Sequence, residues 1–220
     1  MNYITRTIRT ILGLILFSLG SYLSITANIG LSPWDAFSIG FANYLPFLYG
    51  DIVVISGIII LLIDIMLKEK IGIGSLLNIL LIGKLVDFFN YINLIDTINN
   101  FSLGIVLLLL GQVIICFGTY YYIGGGLGCG PRDALMTAIQ KRLPNIPVGM
   151  IRGLIEGGAL LVGWLLGAKV GLGTVISIFG ISVIMQITFK LLHFDIKAIN
   201  HESIIDTYQH ITTPIYDQIQ

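Results

Sequence analysis

Charged and amide side chains at fixed spacing inside apolar stretches are where this chain could do chemistry. Asp35 and Asp133 each stand third in a segment that opens with proline, within Ser32-Pro33-Trp34-Asp35 and Gly130-Pro131-Arg132-Asp133. Serine or glycine at the cap, proline at the first helical position and an acid at the third describe a helix start, where the carboxylate satisfies free amides and offsets the helix dipole. The same geometry behind a glycine-rich approach can form a paired ion or solute site, and two carboxylates favour a cationic or polar ligand over an anion. Lys84 and Asp87 are three apart, and Arg152 and Glu156 four apart, so each pair of opposite charges shares a helix face and can neutralise itself. Asp64 precedes Lys68 by one turn and is expected to pair with it, while Gln112 and Gln186 place amides inside further apolar runs. The candidate substrate-binding set is therefore Asp35, Asp133, Lys84, Asp87, Arg152, Glu156 and Gln186, against the structural alternative of polar contacts between helices.

Catalysis has little support. No GxSxG, CxxC, HExxH or EF-hand pattern occurs, and His193, His201 and His210 all fall in the polar tail, spaced eight and nine apart as solvated bystanders rather than as a metal motif. Cys116 and Cys129 cannot form a disulfide framework. Gly124, Gly125, Gly126, Gly128 and Gly130 are too dense for a stable helix, yet no Gly-Lys-Ser/Thr follows, so they predict an unwound break and no phosphate loop. The expectation is no enzyme, no cofactor and no metal.

The elements that hold these residues follow from composition. The 220 residues are 55% hydrophobic and 11% charged, with formal net charge +0 and mean hydropathy +0.92. Soluble domains carry about 25% charge; this balance excludes disorder, gives no electrostatic case for nucleic acid, and leaves the bilayer as solvent. A hydrocarbon core of about 30 Å needs about 20 helical residues. Apolar runs near 8–28, 50–67, 73–92, 103–123, 147–167 and 172–192 meet that length, and the first is too long for a signal peptide. Segments 33–46 and 131–144, bounded by proline and 14 residues each, do not. Each has one apolar face, Phe37, Phe41 and Tyr44 in the first and Leu135, Ile139 and Leu143 in the second, and each could lie in the interface or re-enter.

If only the six long runs cross, Arg6, Arg9, Lys68, Lys70, Arg132, Lys141, Arg142, Lys190 and Lys197 share one side and Lys169 alone lies opposite. The positive-inside rule then predicts six spans with both termini cytoplasmic. At an offset of 98, Gly13, Gly20, Tyr22, Gly30, Pro33, Asp35, Ala36 and Pro46 meet Gly111, Gly118, Tyr120, Gly128, Pro131, Asp133, Ala134 and Pro144. One inserted residue later, Gly50, Gly72, Gly74 and Ser75 meet Gly149, Gly171, Gly173 and Thr174. The expected domains are a first membrane repeat at 1–98, a second at 99–192 and a cytoplasmic tail at 193–220. Three spans per half is odd, so the second half is expected to be inverted, as in many secondary transporters.

The stretches GLSPWDAF at 30–37, GLGCGPRDAL at 126–135 and GWLLGAKVGLGT at 163–174 resemble the YczE/YyaS/YitT family of bacterial integral membrane proteins, across about residues 8–192. Arg132 departs from the pattern, standing where a second tryptophan would match Trp34. The resemblance implies a bacterial plasma membrane protein with several helices and no assigned activity.

The expected fold is thus an all-α polytopic membrane bundle of six spanning helices plus two short proline-bounded half-helices, built from an inverted internal repeat. The expected function is a carrier-like transporter of a small polar or cationic solute with its site where the repeats meet; a non-transporting accessory or assembly protein is the alternative. The expected partners are the lipid bilayer and that solute, with no nucleic acid; a homo-oligomer is allowed.

Overall fold

The computed structural model describes residues 2–195, 199 and 201–212. Among them it is entirely helical: α1 (Tyr3–Thr26), α2 (Pro33–Ala42), α3 (Tyr49–Met66), α4 (Ile73–Tyr91), α5 (Phe101–Gly124), α6 (Pro131–Arg142), α7 (Val148–Leu165), α8 (Leu172–Leu191) and α9 (Ile204–Thr212). The six helices long and apolar enough to cross a membrane are α1, α3, α4, α5, α7 and α8, the six expected spans.

The centre of the bundle is an α1–α5 seam, its largest helix contact. The two helices run antiparallel and meet through glycine. A Cβ on Gly20 would stand 2.5 Å from the Gly111 carbonyl oxygen, and one on Gly118 would stand 2.7 Å from that of Gly13. Only glycine permits backbones this close, which is how membrane helices gain packing where lipid is as apolar as leucine. Leu14 and Tyr122 beside the seam join Ile82 of α4 in one buried cluster, and Tyr22 and Leu23 join Val86 in another. Around this axis α4 packs on α1, α8 on α5, α3 on α4 and α6, and α2 on α7.

Loop contacts define two ends. At one end, Arg6 donates to the carbonyls of Gly125 and Gly126, the Gly74 amide donates to Leu127, and the Ile204 amide donates to Ile71. At the other end, the Leu31 amide donates to Lys169 and the Ile98 amide to Thr26. Phe194, just past α8, packs on Tyr120 near the end of α5, so the start of α1 and the end of α8 share the first end, while α2 starts from the second and α6 from the first.

The two half-helices begin as their sequences require. Gly30 and Gly128, equivalent at the 98-residue offset, both hold positive φ (135° and 117°), a conformation side chains avoid. Ser32 caps α2, its oxygen accepting from the Asp35 amide. Both helices stop before their second proline, α2 at Ala42 and α6 at Arg142, instead of spanning 33–46 and 131–144; in α6 the break falls at Leu143 (φ −123°), the residue that Pro144 pushes out of the helical region. The polar face of α2 turns into the protein, with Asp35 and Ser38 buried while Phe37 and Phe41 are half-buried.

Three local expectations are corrected. Asp64 does not pair with Lys68: it is wholly buried, and neither carboxylate oxygen meets a partner among the described residues. Lys84 does not neutralise Asp87, because its ammonium reaches across to Asp51 on α3. His201 is no solvated bystander; it is half-buried with Nδ1 shut away, and burial pushes its imidazole below the ordinary value. Lys197 and the last residues of the tail, 213–220, lie outside the described residues.

Candidate functional site

Asp35 anchors the site. Its cap position presents the carboxylate to the Ser32 hydroxyl, which donates to Oδ2 at 2.6 Å, and to the Tyr49 hydroxyl, which donates to Oδ1 at 2.7 Å. Tyr49 opens α3, so this bond ties the start of one half-helix to the start of the next span.

Arg132, the departure from the motif, lies with its guanidinium carbon 4.1 Å from the Trp34 ring centre. Trp34 and Arg132 occupy the same position in the two halves, so equivalent side chains touch here. An aromatic face attracts a guanidinium by its quadrupole, more strongly out of water. The charge of Arg132 acts on Asp35 and Tyr49 from the first half and on Asp133 and Glu156 from the second.

Asp133 stands at the third position of α6, equivalent to Asp35, but is exposed and carries no side-chain bond among the described residues. Arg152 is the strongest cation acting on it, ahead of Arg132. Arg152 in turn donates from Nε to Glu156 at 2.7 Å, the expected pairing along one helix face. Below this cluster, Trp34, Phe37, Ile59, Ile60, Ile155 and Val162 line an apolar crevice of about 380 Å³ between α2, α3 and α7.

The structure thus gathers Asp35, Asp133, Arg152 and Glu156 with Trp34, Tyr49 and Arg132. It places the other three candidates elsewhere. Lys84 bonds Asp51 Oδ1 at 2.5 Å on the bundle's flank. Asp87 caps α3 from a neighbouring helix, both its oxygens accepting the Gly50 amide at 2.9 and 3.1 Å; such first-turn amides have no partner within their own helix. Gln186 is exposed on α8, which packs against α5. Sequence reasoning missed Tyr49 and the Trp34–Arg132 contact. Arg132 was visible as the mismatch in an otherwise repeated motif; Tyr49 had no signal beyond its place at the head of an apolar run.

Chemically, three carboxylates facing two guanidiniums leave one uncompensated negative charge if all are ionised, and Asp133 is the carboxylate with no hydrogen bond. In that fully ionised state the charge balance would suit a cation rather than an anion. No cluster of metal-ligating side chains occurs among the described residues.

The chain matches the family of unknown function DUF6198 over residues 4–190 and belongs to it. It is 33% identical over 167 residues, 75% of this chain and 76% of the relative, to the uncharacterized membrane protein YczE of Bacillus subtilis. It is 31% identical to an uncharacterized protein of Haemophilus influenzae, over 80% of each chain, and 26% identical to the uncharacterized protein YyaS of Bacillus subtilis, over 76% of this chain and 84% of the relative. These relatives account for the YczE and YyaS parts of the resemblance carried by the glycine–proline motifs. No solved structure matches. The protein is a polytopic membrane protein.

Proposed function

We propose that the protein is a carrier for a small polar or cationic solute, built from two inverted repeats at 1–98 and 99–192, with a tail at 193–220. It sits in the bacterial plasma membrane with both termini cytoplasmic. The observation that carries the reading is the convergence of Asp35 and Tyr49 from one half with Arg132, Asp133, Arg152 and Glu156 from the other around the Trp34–Arg132 contact. The antiparallel seam supports the inverted duplication: Gly13 meets Gly118, the equivalent of Gly20, and Gly20 meets Gly111, the equivalent of Gly13. Intramembrane charge is costly and is retained where it serves a pathway, and inverted repeats commonly hold a solute where they meet.

Thermal unfolding of the purified protein, screened across metabolites, tests the reading. A stabilising cation is expected, and Asp133→Asn should abolish that stabilisation without lowering abundance. A ligand response that survives both Asp133→Asn and Asp35→Asn would place the site elsewhere. An accessory role would be read out at the first end, where Glu202 pairs with Arg6 and ties α9 to the loops; there, disrupting Arg6 should abolish function while ligand stabilisation persists.

A further inference from the structure

We infer that α7 and α8 form a lock that is open in this structure, the counterpart of the closed α3–α4 lock, and that exchanging the two switches which end of the bundle the charged cluster faces. The inference rests on the carrier reading above.

The closed lock has three parts. The Gly50 amide donates to Asp87, a Cβ on Gly83 would stand 2.7 Å from the Gly50 carbonyl oxygen, and Lys84 pairs with Asp51. All three lie toward the second end, at the start of α3. At the offset of 99 that follows the inserted residue, Gly50, Asp51, Lys84 and Asp87 correspond to Gly149, Met150, Val183 and Gln186.

None of the corresponding contacts is made. Among the described helices α3 packs on α4, yet α7 has no comparable contact with α8. A Cβ on Gly149, Gly153 or Gly157 would meet nothing within 4 Å, Gln186 is exposed, and Pro147 supplies no side-chain cap to α7. Yet one of the three parts, the amide and its acceptor, has its counterpart, while Ser182 stands at the place of Gly83. Gly149 keeps an amide with no acceptor inside its own helix, Gln186 offers a side-chain carbonyl that could accept it, and the bare glycine face allows close approach.

The chemistry explains which lock is closed. Asp87 and the Lys84–Asp51 pair are charged, and charge-assisted hydrogen bonds are the stronger kind. Gln186, Met150 and Val183 are neutral. The open gap lies toward the first end, because α7 starts there. The accessible part of the cluster is the part carried by α6 and α7, the helices that start at the first end: Asp133 is exposed and the Arg152 side chain is 42% accessible, while Asp35 is buried. Closing α7 on α8 would cover Asp133 and Arg152; releasing α3 from α4 would uncover Asp35 and Tyr49 from the opposite end.

The test needs no solute. Cysteines at Met150 and Val183, both exposed, are introduced into the full chain with Cys116→Ala and Cys129→Ser, and a short bis-maleimide is applied to the protein in vesicles. Breaking the closed lock by Asp87→Ala, or by Lys84→Ala on the exposed pair, is expected to raise the cross-linking rate about tenfold. Adding Gly149→Leu, which touches nothing now but blocks approach, should cancel that rise. Cross-linking that is unchanged by both lock-breaking variants, or indifferent to Gly149→Leu, overturns the exchange whatever the ligand screen shows. The expected cross-linking pattern upholds it even if no cation stabilises the protein, in which case the solute reading alone fails.

Discussion

Asp35 and Asp133 hold the same place in their half-helices but differ in what they bond, and that difference sets what each should do when changed. Tyr49→Phe removes a hydroxyl that donates at 2.7 Å to the buried Asp35 carboxylate. Hydrogen bonds to charged groups contribute about 1.5–3 kcal/mol, so a fall in unfolding temperature in detergent is expected. Asp133→Asn removes no hydrogen bond, and its stability should stay within about 0.5 kcal/mol of the parent while cation binding is lost. Equal destabilisation by the two variants would mean that Asp133 is structural. The helix start around Asp35 was legible from Ser32-Pro33-Trp34-Asp35, because capping is local chemistry. The bonds to Tyr49, of Lys84 to Asp51 and of Asp87 to Gly50 were not, because they join different helices and depend on how those helices pack. Spacing along one helix correctly gave Arg152–Glu156 and wrongly gave Lys84–Asp87, since a shared face allows a pair without excluding a better partner across the interface.

Helices differ in how much their glycines matter. Gly118→Ala and Gly20→Ala would drive a methyl against backbone in the seam and should cost about 2 kcal/mol or more, since backbone cannot move aside as a side chain can. Gly153→Ala and Gly157→Ala meet open space and should be neutral or stabilising by up to about 1 kcal/mol, from helix propensity alone. Thermal unfolding of the four variants checks the contrast; a costly Gly157→Ala would show that α7 is already packed. The tail helix α9 depends on a reciprocal cap: the Ser203 amide donates to Asp206 and the Asp206 amide to the Ser203 hydroxyl. The Ser203 amide, then its hydroxyl, hold the Asp206 carboxyl below the ordinary carboxylate range. Because the folded value is depressed, the cap's contribution is complete above the unfolded value near pH 4 and is lost as pH falls through the folded one. Asp206→Asn should therefore speed hydrogen exchange in α9 at neutral pH, and the difference from the parent should shrink in acid. A difference that stays constant down to pH 2 would remove Asp206 from the cap.

Across the whole molecule, six spans and two half-helices could be read from run length and proline placement, because the thickness of the hydrocarbon fixes helix length. Which helices touch was hidden, since every span is apolar on most sides. Thiol labelling in intact cells checks the orientation: Lys70→Cys is expected to be reached only from the cytoplasm and Thr97→Cys only from outside. Labelling of both from one side would break the six-span arrangement. Both Cys116 and Cys129 should stay unreactive, the latter because burial pushes its thiol up to about 12.

The glycine seam also constrains how the protein is made. Ribosomes deliver α1 first, but the helix it packs against, α5, begins only at Phe101. Until then Gly13 and Gly20 face lipid, with the small polar residues Ser18 and Ser24 on the same helix, so α1 waits in the bilayer without the partner that gives it tight packing. Chains stopped before α5 should therefore insert but fail to settle, and quality-control proteases should clear them, whereas chains stopped after α5 should persist. In that order of events, the second half assembles on a surface that the first half cannot complete alone.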